Sequence, residues 1–443
     1  MTDMLSIGAS GVRAYQTALT TTSENIANAG TAGYSRRVAT TREVAAPGDA
    51  SGRTLNGLGV TVSGVTRTGS DLRNAEVRAA GSDLARSEAG IVWLDRIESA
   101  LTGNKLDERM TAFFNAATAL AADPSASAPR ATFLQAAATL AHSFAATASA
   151  IDGAAADLDG TAEAAVADLN TLSAGLAKVN ASLGRTAQGS SAQAALLDER
   201  DRLLDSMSAL TDVSASFDTA GRATVRAGGG GPLLVQADQA AIATYARSDG
   251  AVSFAVYGIE GSQALAPSGG ALAGVAEGAA RLSDAQAALD TLATDFAAGV
   301  NSVQASGEDL AGASGGAMFT ATGARDFQLV LTDPRGIAAA APGEGERGNG
   351  NLAALATLRR DEGFESQLTT LTAGNASALA GRRAIAEVQS TIRGNAVAAR
   401  DSVTGVNVDE EAVDLIRFQQ AYQASSRVIQ VARETLQTLF DIR

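Results

Sequence analysis

The 443-residue sequence contains no cysteine. The chain therefore forms no disulfide, has no thiolate metal site and carries out no thiol redox chemistry, and its composition suits any redox compartment. The only histidine, His142, lies in an alanine-rich segment with no second type of metal ligand beside it. Neither a catalytic triad nor a zinc site based on this residue is expected. We predict that His142 is structural or exposed.

Aromatic residues and proline are also scarce, at 4% of the chain and seven residues, whereas glycine reaches 46 residues and hydrophobic residues 46%. This composition favours long alanine-rich helices interrupted by glycine-rich loops or strands, with a core largely of Ala, Leu and Val. The length allows two to four domains and a sizeable core.

Basic residues are outnumbered by acidic ones, 34 against 48, which gives a net charge of −14. This surplus argues against nucleic acid or an anionic membrane as the main partner. No run of about 18 apolar residues is present, so no membrane-spanning helix is expected. Residues 1–11 lack the basic leader and apolar run of a secretory signal, so no cleavable signal is expected either.

The C-terminal segment, residues 405–443, has an apolar pattern with a period of seven residues. This spacing is typical of a helix that packs along another helix. Asn407, with Glu410 three residues later, is a candidate helix cap, and a helix from Val408 onward would be about 50 Å long. One row contains Leu415, Tyr422, Ile429 and Leu436, and a second contains Phe418, Ser425, Ala432 and Leu439, with Ser425 as the one polar position.

The N-terminal segment repeats this pattern with Leu5, Val12, Leu19 and Ile26. Each end alone is compatible with an ordinary amphipathic helix packed on its own domain. Because both ends carry a matching seam, we predict that the two helices pair, parallel or antiparallel, with the rest of the chain inserted between them. Few charges lie on the first helix, so its other face also needs cover, and self-association is the simplest source of it.

Between the ends, helical and β patterns alternate. We predict extended structure over Val38–Thr68 and a β-rich region over Val213–Gly274, where short alternating runs are separated by glycine clusters. Predicted helices run from Asp71 through Leu101, from Lys105 to Ala122, from Pro129 to about Ala150, onward to Leu183, from Ala192 to Leu210, from about Glu277 to Val300, and as two helices over residues 351–400.

The motifs that suggest chemistry fail on context. Residues 343–348 match the letters of a dinucleotide fingerprint, but they follow proline rather than a strand and contain two glutamates, so a loop is expected. The run Asp198–Arg202 has mixed charges at helical spacing and is interpreted as a solvated face with intrahelical ion pairs. The motifs at Asn180 and Asn375 fit glycosylation but are common in helices. No enzyme activity, metal or cofactor is expected.

Both ends of the chain also carry motifs of a known family. These are Ile7-Gly8, Ser10-Gly11, Asn25-Ile26-Ala27-Asn28 and Thr31-Ala32-Gly33-Tyr34-Ser35-Arg36 at the N-terminal end, with Gly405 to Glu411 and Phe418 to Ser425 at the other. They resemble the bacterial flagellar rod, hook and hook-associated proteins. Hook proteins usually have Arg and Asn at the positions of Gln420 and Ser425, so these two residues favour the members at the hook–filament junction.

The resemblance implies a mainly α-helical fold with a smaller inserted β domain that projects outward. Residues 1–33 and 405–443 would pair as an α-helical coiled coil, residues 34–212 and 275–404 would form a helical domain, and residues 213–274 would form the β-rich outer domain. Ala32 stands where proline is common, and the middle is short for the family, so the number of outer domains stays open.

The implied function is a structural junction or adaptor between hook and filament, built from copies of the chain. Implied partners are the hook protein, a second hook-associated protein on the filament side, and an export chaperone on the C-terminal segment. The implied location is the extracellular flagellum, reached by type III export without a cleavable signal. A hook or distal rod protein, and a secreted enzyme active within Val213–Gly274, are the alternatives. The predicted assembly residues are Leu5, Val12, Leu19, Ile26, Leu415, Phe418, Tyr422, Ile429, Leu436 and Leu439.

Overall fold

The computed structural model describes residues 2–31, 33–44, 59–228, 230–248 and 250–441. Within these ranges the fold is mainly helical, with a small antiparallel β region inserted after the fifth helix, as the sequence predicted. The helices are α1 (Thr2–Asn28), α2 (Asp71–Gly103), α3 (Leu106–Ala122), α4 (Ser127–Leu183), α5 (Ser191–Leu210), α6 (Gly270–Ser306), α7 (Gly350–Glu362), α8 (Phe364–Thr404) and α9 (Val408–Asp441). The strands are β1 (Arg37–Glu43), β2 (Val60–Arg67), β3 (Val213–Phe217), β4 (Ala223–Ala227), β5 (Leu233–Gln236), β6 (Gln239–Ala240), β7 (Ile242–Ser248), β8 (Ala251–Gly258), β9 (Gly261–Leu265), β10 (Phe319–Thr320) and β11 (Gln328–Leu329), and Pro334–Gly336 forms a 3-10 turn.

Helix α4 is a single helix of 57 residues, so the predicted break at about Ala150 is wrong. Gly153 and Gly160 lie inside it, and each costs about 1 kcal/mol relative to alanine in a helix interior. Buried side chains nevertheless recur at spacings of three and four from Phe133 to Leu183. Packing of this continuous face stabilises the helix across the glycines.

Phenylalanines from several helices form one cluster at the centre of the helical body. Phe113, Phe144 and Phe296, from α3, α4 and α6, are fully buried. Phe144 stacks on Phe327 with ring centroids 4.7 Å apart, and Phe296 meets Phe364 of α8 edge to face at 5.1 Å. Such pairs contribute about 0.5–1.5 kcal/mol beyond their area burial, so these rings hold together helices that are distant in sequence.

The β region contains a four-stranded sheet, β3-β4-β5-β6, and a three-stranded sheet, β7-β8-β9, both antiparallel. Two asparagine side chains of α4 bind these two sheets to the helix. The Asn180 amide donates to the carbonyls of Ala223 and Ala237 and accepts from the Ala223 N–H, each at 2.8 Å. Asn170 pairs with both backbone groups of Ala243 in the same way. Each side chain therefore satisfies strand backbone groups that a neighbouring strand would otherwise bind.

Helix α6 begins at Gly270, seven residues before the predicted start at Glu277. Glycine normally weakens a helix, and the four glycines between 269 and 278 obscured the helical pattern. They are packing positions: a Cβ at Gly274 would lie 2.6 Å from Ala89 Cβ, and one at Gly278 would overlap the Trp93 ring. The glycines let α6 approach α2 closely.

The hairpin β1–β2 lies between the terminal helices and the helical body. The Val60 N–H donates to Ser10 Oγ of α1 at 3.1 Å, and the Val65 N–H donates to the Gly189 carbonyl, just before α5, at 2.6 Å. The predicted extended structure is confirmed for these two strands, while residues 45–58 lie outside the described part of the chain. No helix among the described residues has the length and apolar character needed to cross a membrane.

Candidate assembly interface

Helices α1 and α9 pack against each other along their length in antiparallel orientation. Gly8 and Gly11 lie against Ile429 and Ser425 near one end of the pair. The rings of Tyr15 and Phe418 lie 6.5 Å apart further along, and Asn25 meets Glu411 at the other end. The predicted pairing of the terminal helices is confirmed, and its direction is now defined.

Small residues make up much of the surface by which α1 contacts α9, together with Tyr15 and Asn25. A Cβ at Gly8 would lie 2.7 Å from Ile429 Cγ1, and one at Gly11 would lie 2.6 Å from Ser425 Oγ. Ala14 and Ala18 continue this surface at 1% and 2% exposure. Small side chains let the two backbones approach closely, which explains the serine that interrupts the apolar row of α9. Its hydroxyl is satisfied within its own helix by the Ala421 carbonyl.

The predicted assembly residues lie beside this contact and are mostly half-buried. On α1, the row Leu5, Val12, Leu19 and Ile26 flanks the small-residue surface and is partly exposed. On α9, the described predicted residues Leu415, Phe418, Tyr422, Ile429 and Leu436 are also half-buried, and Phe418 and Ile429 meet α1 directly. The side chain of Leu439 lies outside the described part. A role for these ten residues between subunits stays a prediction.

The opposite side of α9 carries exposed apolar side chains among polar ones, Arg417, Gln420 and Arg427, and the seven-residue pattern did not indicate them. Val413, Ile416 and Val431 are 67%, 57% and 53% exposed, and Val428 is 37% exposed. Positions 413, 416, 428 and 431 lie within about 120° of one another around a helix with 3.6 residues per turn. We call these four exposed side chains the outer face of α9. The seven-residue pattern identifies the rows that face α1. Only the position of α1 in the structure distinguishes this face from the exposed one.

A buried carboxylate fixes the end of the helix pair nearest the body. Glu411 is 1% exposed and accepts hydrogen bonds from Arg36 Nε at 2.6 Å and Asn25 Nδ2 at 3.0 Å. Asn25 Nδ2 and Oδ1 also bind the backbone C=O and N–H of Arg37, and Oδ1 accepts from the Tyr34 hydroxyl at 2.9 Å. Burial raises the pKa of Tyr34 to about 12. Asn25, Tyr34, Arg36 and Glu411 belong to the quoted family motifs, but their mutual contacts could not be inferred from sequence.

A second set of ion pairs attaches the hairpin to α5. Asp198 accepts from Arg37 and Arg67, both at 3.1 Å, and Asp201 accepts from Arg67 at 2.7 Å. Arg200 is 3% exposed and pairs with Asp201 at 2.6 Å. The interpretation of Asp198–Arg202 as a solvated face is therefore wrong for Asp198, Arg200 and Asp201, whereas Glu199 and Arg202 form the predicted intrahelical ion pair at the surface. Helical spacing shows which charged residues share a face of α5. It does not show that arginines of the β1–β2 hairpin cover that face.

The other candidate motifs lie in helices and in one loop. His142 is exposed, and residues 343–348 form a loop, as expected. Asn180 is buried and Asn375 donates to the Leu94 carbonyl, so both side chains serve packing. Among the residues described, no group of three or more His, Cys, Asp or Glu side chains is arranged to hold a metal ion.

Sequence-family models match two parts of the chain. A model described as the helical domain of flagellar hook-associated protein FlgK matches residues 94–319, just over half of the 443 residues. A model described as the C-terminal part of flagellar basal body rod FlgEFG proteins matches residues 401–442, which include α9. The first match runs from the last part of α2 to the start of β10 and includes the β region, and the second includes α9.

Individual proteins are similar over different lengths. Flagellar hook-associated protein 1 of Bacillus subtilis is 23% identical over 96% of this chain and 94% of its own length. The Escherichia coli protein of the same name is 26% identical, but the match spans 53% of this chain and less than half, 43%, of that protein. The solved structure of the flagellar hook junction protein FlgK from Burkholderia pseudomallei aligns with a TM-score of 0.51 and 22% identity, over 56% of this chain and 46% of that one, and shows a shared fold.

Proposed function

The chain belongs to the family of the flagellar hook-associated protein FlgK, and from this membership we propose that it is an adaptor whose copies pack together through their terminal helices. As a member of this family, it is a structural component of the bacterial flagellum at the junction between hook and filament. The observation that carries the packing proposal is the two-sided character of α9. One side is covered by α1, and the other presents apolar side chains to water.

The energetics favour an assembly of many copies over an isolated dimer. Full burial of a Val or Ile side chain contributes about 1.5–3 kcal/mol. Because the outer-face residues are roughly half exposed, each has about 1 kcal/mol left to gain. A single contact of this size is weak against the cost of association. In a layer in which each copy touches several others, the free energies of several such contacts add together.

Helix α8 provides a second surface of the same kind. Ile385, Val388 and Ile392 are 50%, 59% and 53% exposed, and Val403 is 45% exposed. These positions share one helical face that extends about 27 Å at 1.5 Å per residue. A stripe of this length on the helix that precedes α9 suits lateral contact between neighbouring bodies.

The predicted division of the chain follows from this role. The terminal pair, residues 1–33 and 405–443, forms the inner coiled-coil unit, residues 34–212 and 275–404 form the helical body, and residues 213–274 form the outward β unit. The ten predicted seam residues set the shape of the pair on which copies pack. The alternative role within the flagellum, that of a hook or distal rod protein, is less well supported, because the matched helical-domain model is that of FlgK.

The finer parts of the proposal concern partners and export. The hook protein and a second hook-associated protein contact the two ends of the layer, and an export chaperone covers the apolar faces of α9 beforehand. The protein is exported without a cleavable signal, acts outside the cell and has no enzyme activity. Uncovered apolar faces promote aggregation, which is the physical reason for a chaperone.

The test replaces Ile416 with aspartate. A charge on the outer face opposes burial against another copy but leaves the α1 contact intact. We expect the Ile416→Asp variant to be absent from purified flagella, while the purified variant unfolds thermally like the parent protein. Gln419→Asp, an exposed polar position one turn away, is the matched control and should be incorporated. Normal incorporation of Ile416→Asp would refute the interface.

A further inference from the structure

Asp205 of α5 faces two arginines from different parts of the molecule but binds only one. Its Oδ2 accepts a hydrogen bond from Arg400 of α8 at 3.1 Å. Its Oδ1 is enclosed and has no hydrogen-bond partner among the described residues. Burial raises the pKa of Asp205, and the positive charges of Arg400 and Arg78 oppose that rise. Asp205 therefore has an unused acceptor near a second arginine.

That second arginine, Arg78 of α2, is 5% exposed. Its Nη1 is buried and also lacks a hydrogen-bond partner within the described chain. Burial lowers the pKa of Arg78, and Asp205 is the largest opposing influence. Of the two other carboxylates that act on Arg78, Asp201 is already bound by Arg67 and Arg200, and Asp71 is exposed and has the weaker influence. Asp205 is thus the available partner for Arg78.

Arg400 is tied to the terminal helix pair. It lies one turn before Thr404, whose carbonyl accepts the Arg36 N–H at 2.8 Å. The Arg36 side chain in turn binds Glu411 of α9. A change in the orientation of the terminal pair therefore displaces the end of α8 that carries Arg400. A cavity of about 220 Å³ beside Asp205, also lined by Arg400, Thr404 and Tyr34, leaves space for such a displacement.

We propose that Asp205 is a two-position latch between the body and the terminal helix pair. In the observed position it holds Arg400 and, through α8, the terminal pair. In the second position the end of α8 moves away and Asp205 binds Arg78. The exchange replaces the partly exposed Asp205–Arg400 ion pair by a pair with the buried Arg78 and satisfies both unpaired atoms. A latch of this kind requires the two orientations of the pair to lie within a few kcal/mol of each other, and it operates within one chain, independently of assembly.

The absence of cysteine makes a distance measurement straightforward. Nitroxide labels at Asp83→Cys on α2 and Gln423→Cys on α9, both exposed, report the distance between body and terminal pair by double electron–electron resonance. We expect Arg400→Met to shift the distance distribution to a second value, that of the position in which Asp205 binds Arg78. Arg78→Met removes this second position and should leave one narrow distance, that of the position in which Asp205 binds Arg400. Arg383→Met, which removes a surface pair on the same helix, is the control and should match the parent.

A fixed arrangement in which water bridges Asp205 and Arg78 predicts different results. If Arg78 only serves as a fixed counter-charge, Arg78→Met lowers the urea midpoint, whereas the latch predicts a midpoint at or above that of the parent because a buried unpaired charge is removed. Superimposable distances in all variants would also overturn the latch. Should Arg400→Met not fold, Asp205→Asn serves instead, and in that background Arg78→Met should produce no further change in distance; a further change would contradict the latch.

Discussion

Removal of the Glu411 carboxylate tests how the terminal helices are held together. Glu411 binds Arg36 and Asn25 and is almost completely buried. A hydrogen bond to a charged group contributes about 1.5–3 kcal/mol, and loss of a buried partner costs more. The Arg36 side chain is 28% exposed and retains Asp414 at 3.5 Å, which reduces the cost. We expect Glu411→Ala to destabilise the pair by about 2–3 kcal/mol.

Hydrogen exchange resolved along the sequence measures this change. A loss of 2–3 kcal/mol increases the opening equilibrium about 30- to 150-fold, so amides of α1 and α9 should exchange faster by that factor. Amides in the Phe cluster of the body should be unaffected, because local opening is confined to the altered unit.

Two variants make the result specific. Glu411→Gln keeps the shape and an acceptor for Asn25, so its effect should be about half as large. Glu410→Ala removes the exposed neighbouring carboxylate and should change stability by less than about 0.5 kcal/mol. Equal effects of the variants at 410 and 411, or acceleration throughout the body, would refute the assigned role of Glu411.

Three further changes address other parts of the molecule. Ile429→Asp places a charge against Gly8, so flagellar incorporation and α1–α9 pairing should be lost while the body melts normally; the exposed neighbour Gln430→Asp should be tolerated. Asn180→Ala leaves buried strand groups unpaired and should cost about 2–4 kcal/mol in urea unfolding, against less than about 0.5 for exposed Lys178→Ala. Burial raises the pKa of Tyr34 to about 12, above the ordinary tyrosine pKa of about 10. The contribution of protonated Tyr34 to stability is therefore complete below about pH 10 and is lost as the pH rises toward 12. Tyr34→Phe should weaken the pair at neutral pH and flatten the alkaline loss in urea midpoints; an unchanged alkaline slope would contradict this.

The sequence predicted most helices because their apolar spacing is local information. Helix α2 begins at Asp71 as predicted, where the Ser70 side chain caps it, and α3 ends at Ala122 before Asp123-Pro124. The errors arose where packing outweighs local preference. Gly153 did not interrupt α4, and the glycines at the start of α6 lie where that helix touches α2.

The candidate interface was only partly predictable. The seven-residue rows identified α1 and α9 as partners, and the pairing is confirmed. The rows did not reveal that Gly and Ala make up much of the contact surface of α1, because small residues carry little apolar signal. The charged groups from Arg37 to Asp201 are brought together by tertiary structure over more than 150 residues of chain, a distance that no local pattern spans.

The central claim is that the outer face of α9 is covered by other copies in the flagellum. A single cysteine at Ile416 would be the only thiol in the chain, so its rate of maleimide modification reports exposure directly. We predict rapid reaction in the purified protein and strong protection in intact flagella, with Ser262→Cys in the β region reactive in both. Equal reactivity of the cysteine at position 416 before and after assembly would contradict the account.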